Sequence, residues 1–440
     1  MSHPNGAPWP LALAGAHVTA GAAMFLLRPR DGSIEPDPVD VDAYFSADDI
    51  ARARRFGRPQ LALQLVAGAA QVLALAGVAV CGGAGRPRPA APSSREELMQ
   101  SAIAGARLSL AVGLAPLPLR ALARRRALAA GLATQTWRGW VRDLAKSGAL
   151  GAGLDALAAP AALALMRRRP RDWWLPASGI AVVGAGALAL LAPLTVDRLF
   201  NRFRPLPGGP IRDDVLELAD RAGVEVGEVY VVDASSRTAA ANAYVSGLGP
   251  SRRVVLFDTL LREFTREEIR LVVAHELAHV RHRDISRGLA HLALSAPAAM
   301  YAAAQLTPDL QRRLADAAAG EGTALCRRLG IRPGSAAGAA PDSAAVLPAL
   351  VLSLGAVSAV VGGFAAALSR RVERRADAFA LALADAPAPF VSCERRLVRS
   401  NLADPDPPRW LVGLIGTHPP AVQRIGIALA YQRGARPAVR

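Results

Sequence analysis

The sequence predicts an all-α polytopic membrane protein of about seven transmembrane helices that carries a small α+β domain. Hydrophobic residues make up 52% of the 440 positions. The excess is Ala, Leu, Val and Gly gathered into long uncharged blocks, which suits a bilayer better than a globular core. One polar segment, Asp197 to Asp284, instead has the short alternating and helical patterns of a soluble fold. Aromatic residues are only 5%, so the interfacial belts must be thin.

The first block, Pro10 to Leu27, is preceded by no Lys or Arg and followed by further spans, so it reads as a membrane helix rather than a signal peptide. Next comes a loop, Arg28 to Pro59, acidic in its first half and basic in its second, with a helical stretch at Ile50 to Phe56. Leu61 to Gly82, Leu175 to Val196 and Ala344 to Leu368 are uncharged and long enough to span. Leu98 to Leu119 contains Arg107 and Gly148 to Met166 contains Asp155. Each charge either faces a wet interior or marks a segment shifted toward the interface, because a lipid-facing charge is costly. Ser286 to Leu306 starts with a charge at Arg287 and then stays mostly apolar, completing seven.

The polar segment reads as a helix at Asp213 to Ala222 and strands at Glu228 to Asp233, Asn242 to Gly247 and Arg252 to Asp258. Thr265 and Glu268 then have capping-box spacing, which starts another helix. Thr307 to Ser343, rich in Gly and Ala, has no clear period and reads as a connection. Four parts follow: 1–196 with five spans and basic loops, 197–285 as the main polar folded part, 286–368 with two spans, and 369–440 as a second polar part.

A net charge of +16 would suggest nucleic acid in a soluble chain, but here the arginines flank the spans, so no nucleic-acid partner is expected. Arg120, Arg124, Arg125, Arg126, Arg138, Arg142 and Lys146 mark the third loop as cytoplasmic, and with it Asp197 to Asp284. Arg167, Arg168, Arg169 and Arg171 on the next loop oppose that orientation. Cys81, Cys326 and Cys393 have neither metal spacing nor an even count for disulfides.

The chemistry lies in His275, Glu276, Leu277, Ala278 and His279. Two histidines four apart share a helix face and can reach one metal ion, while the glutamate between them can hold the nucleophilic water. Solvated surface histidines are the bland alternative, but Val272, Val273, Ala274, Leu277, Ala278 and Val280 make the helix apolar nearly all round. This HExxH helix is the pattern of a zinc hydrolase. A third ligand must come from elsewhere. Glu373 and Asp377, four apart, share a face, so that one can bind metal and the other brace a histidine; otherwise they pair with the surrounding arginines. Two spans separate His279 from Glu373, and an even number of crossings returns the chain to the same side.

These motifs resemble the type I CAAX prenyl endopeptidase family, membrane-embedded zinc metalloproteases of the gluzincin class, whose HExxH and downstream ExxxD are matched by His275, Glu276, His279, Glu373 and Asp377. The resemblance implies one zinc held by His275, His279 and Glu373, Glu276 as general base, and Asp377 behind the ligands. Asn242, Ala243, Tyr244 and Gly247 resemble the family's edge strand, which binds an extended substrate by strand addition. Thr417, His418, Pro419, Pro420 and Arg424 resemble its histidine-proline tail, which implies that His418 and Arg424 stabilise the oxyanion or orient the site. Phe45, Ser46, Ile50, Arg52, Ala53, Phe56 and Pro59 are similar to the first loop, Gln135, Thr136 and Trp137 to the third, and Leu199 to Pro207 to the segment leaving the fifth span.

Ala278 departs from the glycine of many relatives, and the terminus Pro437 to Arg440 lacks a dilysine signal. The Ala- and Arg-rich composition looks bacterial, so a bacterial cell membrane is the expected location. Expected partners are membrane lipids and a peptide or protein with a flexible segment. If the spans enclose a chamber, as the resemblance implies, Arg107, Asp155 and His291 are candidates for its lining; His291 is otherwise a packed membrane histidine. A heat-shock-type quality-control metalloprotease is the alternative enzyme. A non-catalytic receptor, scaffold or transporter with a structural metal is the alternative of another class.

Overall fold

The computed structural model describes residues 9–81, 94–193, 195–247, 252–319 and 343–437. The membrane part is built on α1 (Trp9–Leu27), α2 (Ala47–Cys81), α3 (Ser94–Leu114), α4 (Leu117–Ala129), α5 (Trp137–Arg168) and α6 (Trp174–Leu191). After the polar segment come α11 (Asp284–Ala319) and α12 (Leu347–Ala384), numbered in chain order with the helices given below. By length and composition α1, α2, α5, α6 and the stretch Ala344–Ala384 can each cross a membrane, and α3 with α4, bent by 43°, makes a sixth span if the pair is taken as one. The span expected at Ser286 to Leu306 lies within α11, which is long enough but less apolar and is not among these. Its polar positions His291, Ser295 and Thr307 are buried, because α11 packs among α1, α6 and α12 rather than standing alone in lipid. The helix also continues through Pro308 to Ala319, so the connection expected from Thr307 begins as helix; residues 320–342 lie outside the described residues. Arg107 and Asp155, on neighbouring helices, are both exposed side chains.

Helices α3 and α5 run antiparallel. Arg167 pairs with Glu97 at 3.2 Å at one end, and Gly105 lies against the Asp155 carbonyl and Ala159 further along. The third and fourth loops, both basic, therefore sit at opposite ends of α5, a helix about 48 Å long at 1.5 Å per residue. The third loop meets the polar segment directly: Thr134 N donates to Arg237 O at 3.1 Å, and Ala133 bridges Thr238.

In the polar segment α7 (Val196–Phe200) leads into β1 (Phe203–Pro205), followed by α8 (Pro210–Arg221), β2 (Glu228–Val232), β3 (Ala243–Ser246), β4 (Arg253–Phe257), α9 (Asp258–Glu263) and α10 (Arg266–Arg281). The sheet order is β1-β2-β4-β3: β2 and β4 are parallel, while β1 and β3 pair antiparallel on the two edges. Burial of β4 on both faces follows from its Val254, Val255 and Leu256 run. Three strands and α8 fall within a few residues of expectation. The added β1 is only three residues and has no alternation to announce it.

Helix α10 starts at the capping box: Thr265 Oγ1 accepts from Glu268 N at 3.3 Å, and Glu268 Oε2 accepts from Thr265 N at 3.0 Å. Such a cap contributes about 1 kcal/mol. Glu268 is 1% exposed and also accepts from Ser392 Oγ at 2.7 Å and Arg396 Nε at 3.0 Å on α13 (Pro387–Asn401). One carboxylate thus fixes both the start of α10 and its packing partner. The chain ends in α14 (Arg409–Ile415) and α15 (Ala421–Gln432).

One apolar core joins the polar segment to the tail: Leu218, Leu256, Leu260, Val273 and Leu277 pack with Ala380, Leu383 and Cys393. The first loop docks on the same body, Ile34 beside Leu271 and Ile427, and Phe45 and Ile50 beside Val398 and Ile425. Its acidic half is answered by tail arginines, Asp49 by Arg399 at 3.0 Å and Asp37 by Arg433.

A Cβ at Gly105 would collide with Asp155 and Ala159 across the α3–α5 crossing. Gly105→Val is therefore expected to destabilise by about 1–3 kcal/mol, the usual range for overpacking. Thermal unfolding in detergent checks this; an unchanged midpoint contradicts the tight crossing.

Candidate metal centre

Helix α10 is amphipathic inward: Ile269, Val273, Ala274 and Leu277 anchor it in the core, which leaves His275 and His279 on the face toward α12. Glu373 and Asp377 lie where α12 leaves its apolar stretch, packed along α10. His275 Nε2 and His279 Nε2 are 3.2 Å apart, and they lie 3.2 Å and 3.6 Å from Glu373 Oε2 and Oε1. One ligand atom from each of the three residues falls within 4.8 Å of the others, close enough to share one ion.

Each histidine is braced from behind. His275 Nδ1 donates to Asp377 Oδ1 at 2.9 Å, and His279 Nδ1 faces Asp284 Oδ2 at 3.0 Å. A carboxylate on Nδ1 selects the tautomer that leaves the Nε2 lone pair free for a metal. Asp377 is fully buried and is gripped by Arg424 of α15, Nε to Oδ2 at 2.9 Å and Nη2 to Oδ1 at 2.6 Å. Glu394 of α13 holds the other side of Arg424, 2.7 Å from Nη1. Asp284 is held by Arg375 at 2.5 Å and by Arg287.

The donor set fits a metal ion on two counts. Glu373 Oε2 is buried and has no hydrogen-bond partner, which is costly for a carboxylate oxygen unless a cation answers it. Burial lowers the His275 pKa, but the Asp377 and Glu373 carboxylates outweigh it and push the imidazole up to about 10. The pocket therefore favours positive charge. Burial raises the Glu276 carboxyl above its ordinary range, although the neighbouring histidines oppose the shift.

The structure places the other expected residues at different distances from this centre. His418, exposed on the loop before α15, has Nε2 3.4 Å from Glu373 Oε2. Arg424 sits behind Asp377, a position for orienting His275 rather than for meeting an oxyanion. Asn242, Ala243 and Tyr244 enter β3, an edge strand alongside α10. Asn242 O accepts from Phe257 N, Asn242 Oδ1 takes the Ala243 N–H, and the Tyr244 hydroxyl donates to Asp197 Oδ2 at 3.2 Å. Among the described residues no strand covers the outer side of β3.

Two residues escaped the sequence reading. Asp284 reaches back to His279 because the chain reverses in two residues between α10 and α11, with Arg283 at φ +55°. Its signal was an aspartate five positions after His279. Glu394 had none, since an i-to-i relation across three helices leaves no spacing.

A polytopic helical bundle holding this helix-borne HExxH beside a carboxylate is a membrane metalloprotease, and known proteins agree. Residues 205–431 match the profile of peptidase family M48, and residues 34–202 that of the CAAX prenyl protease N-terminal region with five membrane helices. The chain belongs to peptidase family M48. It is 30% identical to the uncharacterised metalloprotease YhfN of Bacillus subtilis, across 72% of this chain and 70% of that one. It is 34% identical to CAAX prenyl protease 1 of Saccharomyces cerevisiae, across 33% of this chain and 32% of that protein. The crystal structure of S. mikatae Ste24p has the same fold, with a TM-score of 0.70 at 20% identity over 96% of this chain and all of that one.

Removing the brace on His279 should loosen the centre without removing a candidate ligand. Asp284→Ala is expected to weaken metal affinity about 10–100-fold, read by competition with a chelator; wild-type affinity contradicts the bracing role.

Burial pushes Glu394 up to about 7 although Arg424 pulls it down. The folded chain then binds that proton more tightly than the unfolded one. The contribution is fully present below the ordinary value of 4.5 and is lost as pH rises through 7. The thermal midpoint should fall across that window, and Glu394→Gln should flatten the fall. An equal slope in the variant removes Glu394 as the cause.

Proposed function

We propose that the chain is a zinc endopeptidase that cleaves flexible segments of proteins at the membrane. The observation that carries this reading is Glu276, which follows a candidate ligand and has a carboxyl raised by burial toward the range a general base needs. A purely structural metal site gives no reason for such a base. His275, His279 and Glu373 would hold the zinc, whose two imidazoles and one carboxylate match a catalytic rather than a closed structural set. When bound, zinc supplies Lewis acidity for carbonyl polarisation and for water activation.

The chain's own groups do the rest. Glu276 takes a proton from the attacking water and later delivers it to the leaving amine. The uncovered edge of β3 offers main-chain donors and acceptors to an extended peptide, and its neighbour α10 sets that peptide across His275 and His279. His418, whose Nε2 lies 3.4 Å from Glu373 Oε2, would donate to the developing oxyanion. Asp377, Arg424 and Asp284 hold the imidazoles in register. We further propose 197–285 with 369–440 as one catalytic unit, set beside the spans of 1–196 and 286–368. A bacterial cell membrane with this unit in the cytoplasm follows from the composition and from the basic third loop docked on it.

Glu276→Gln in detergent-purified protein should keep about one zinc per chain and lose about 10²–10⁴-fold or more in cleavage of a quenched unstructured peptide. Residual wild-type turnover in the variant sinks the base assignment, and a chain without zinc sinks the metal.

In the active enzyme the pH–rate profile should fall on the acid side as Glu276 is protonated, above the ordinary 4.5 of a carboxyl. A flat profile through that region contradicts the role of Glu276.

A further inference from the structure

We propose that a cleft between the end of α1 and the polar extension of α12 binds the phosphate of an anionic lipid headgroup. The cleft has a volume of about 330 Å³ and is lined by Arg28, Pro29, Arg30, Ser33, Arg371 and Arg374. Four guanidinium groups converge there and no carboxylate lines the space.

This arrangement differs from the rest of the molecule. Arg375 is answered by Asp284, Arg424 by Asp377 and Glu394, Arg399 by Asp49, and Arg370 by the Val412 and Gly416 carbonyls. Among the described residues, Arg28, Arg30, Arg371 and Arg374 have no carboxylate partner. Arg28 lies over the Phe25 ring at 3.7 Å, and Arg371 Nη1 contacts Met24 Sδ at 3.2 Å. Like charges held around one space repel, and they are held there because the backbone elements carrying them are packed elsewhere. Gly32 rests on Arg375, and Ile34 is buried against Leu271. A phosphate offsets the repulsion and matches the forked donors of arginine, with the Ser33 hydroxyl as a further donor.

Position selects lipid over soluble phosphate. Arg28 is the first residue after α1, and Arg371 follows the apolar stretch of α12 by three residues, so the cleft lies at headgroup depth. Beside it Phe25 and Leu26 are 52% and 60% exposed, an apolar surface for acyl chains just inside the headgroup. Simple flanking of spans by basic residues spreads charge along the interface. Here two segments far apart in sequence turn their arginines into one concave cleft. A bound headgroup would clamp α1 to α12 one residue from Glu373.

The test uses the full chain, delipidated in uncharged detergent, with binding read by native mass spectrometry. Probes are dioctanoyl phosphatidylglycerol, dioctanoyl phosphatidylcholine and inorganic phosphate. Arg30→Gln with Arg374→Gln is compared with a charge-matched control, Arg168→Gln with Arg171→Gln, at the other end of α5. Phosphatidylglycerol affinity should drop about tenfold or more in the cleft variant, the loss expected for charge-assisted phosphate contacts, and stay at wild type in the control. Phosphatidylcholine should bind all three proteins alike. Arg30→Gln alone, at an exposed side chain, should shift affinity in the same direction and guards against a folding defect. Equal losses in both double variants, or none in either, overturn the site. Displacement of the lipid by millimolar inorganic phosphate overturns the lipid as its occupant.

Discussion

The buried pair between Asp377 and Arg424 is the contact on which the centre depends. Asp377 is 0% exposed and touches both His275 and Arg424, so it joins α10, α12 and α15 at one point. Removing one member of such a pair costs about 3–5 kcal/mol because the survivor is left charged and unanswered. Replacing the pair by apolar residues could preserve packing, but it would free the His275 ring. The pair is thus better explained by the orientation it imposes than by stability.

A second constraint is imposed by the bilayer. Glu373 reaches His275 and His279 because α12, on leaving its apolar stretch, packs along α10. The first and third loops close on the same body through Ile34, Phe45, Ile50 and the Thr134–Arg237 contact. The membrane helices therefore act as the frame that holds two separated stretches, 197–285 and 369–440, in one apolar core. The peptidase family M48 profile, residues 205–431, runs through most of both stretches and the helices between them.

Much of this was legible beforehand because local rules produced it. The HExxH spacing follows helix periodicity, the Thr265–Glu268 cap follows from orphan donors at a helix start, and the strands follow from alternation. Glu373 and Asp377 stood out because positions four apart share a face. The membrane character of Ser286 to Leu306 is harder to judge, since its buried His291 and Ser295 are tolerable only inside a bundle. β1 was missed because three residues carry no period.

The sequence by itself determined the reaction class to look for, the apolar spans within α1, α2, α5, α6 and α12, and the pairing of an HExxH helix with a charged one downstream, since each is written in residues a few positions apart. Tertiary structure alone decided that Asp284 braces His279, that Glu394 holds Arg424, and that Arg28, Arg30, Arg371 and Arg374 share one cleft. Those relations join residues from different elements, and their distances depend on how helices pack, which no local spacing encodes.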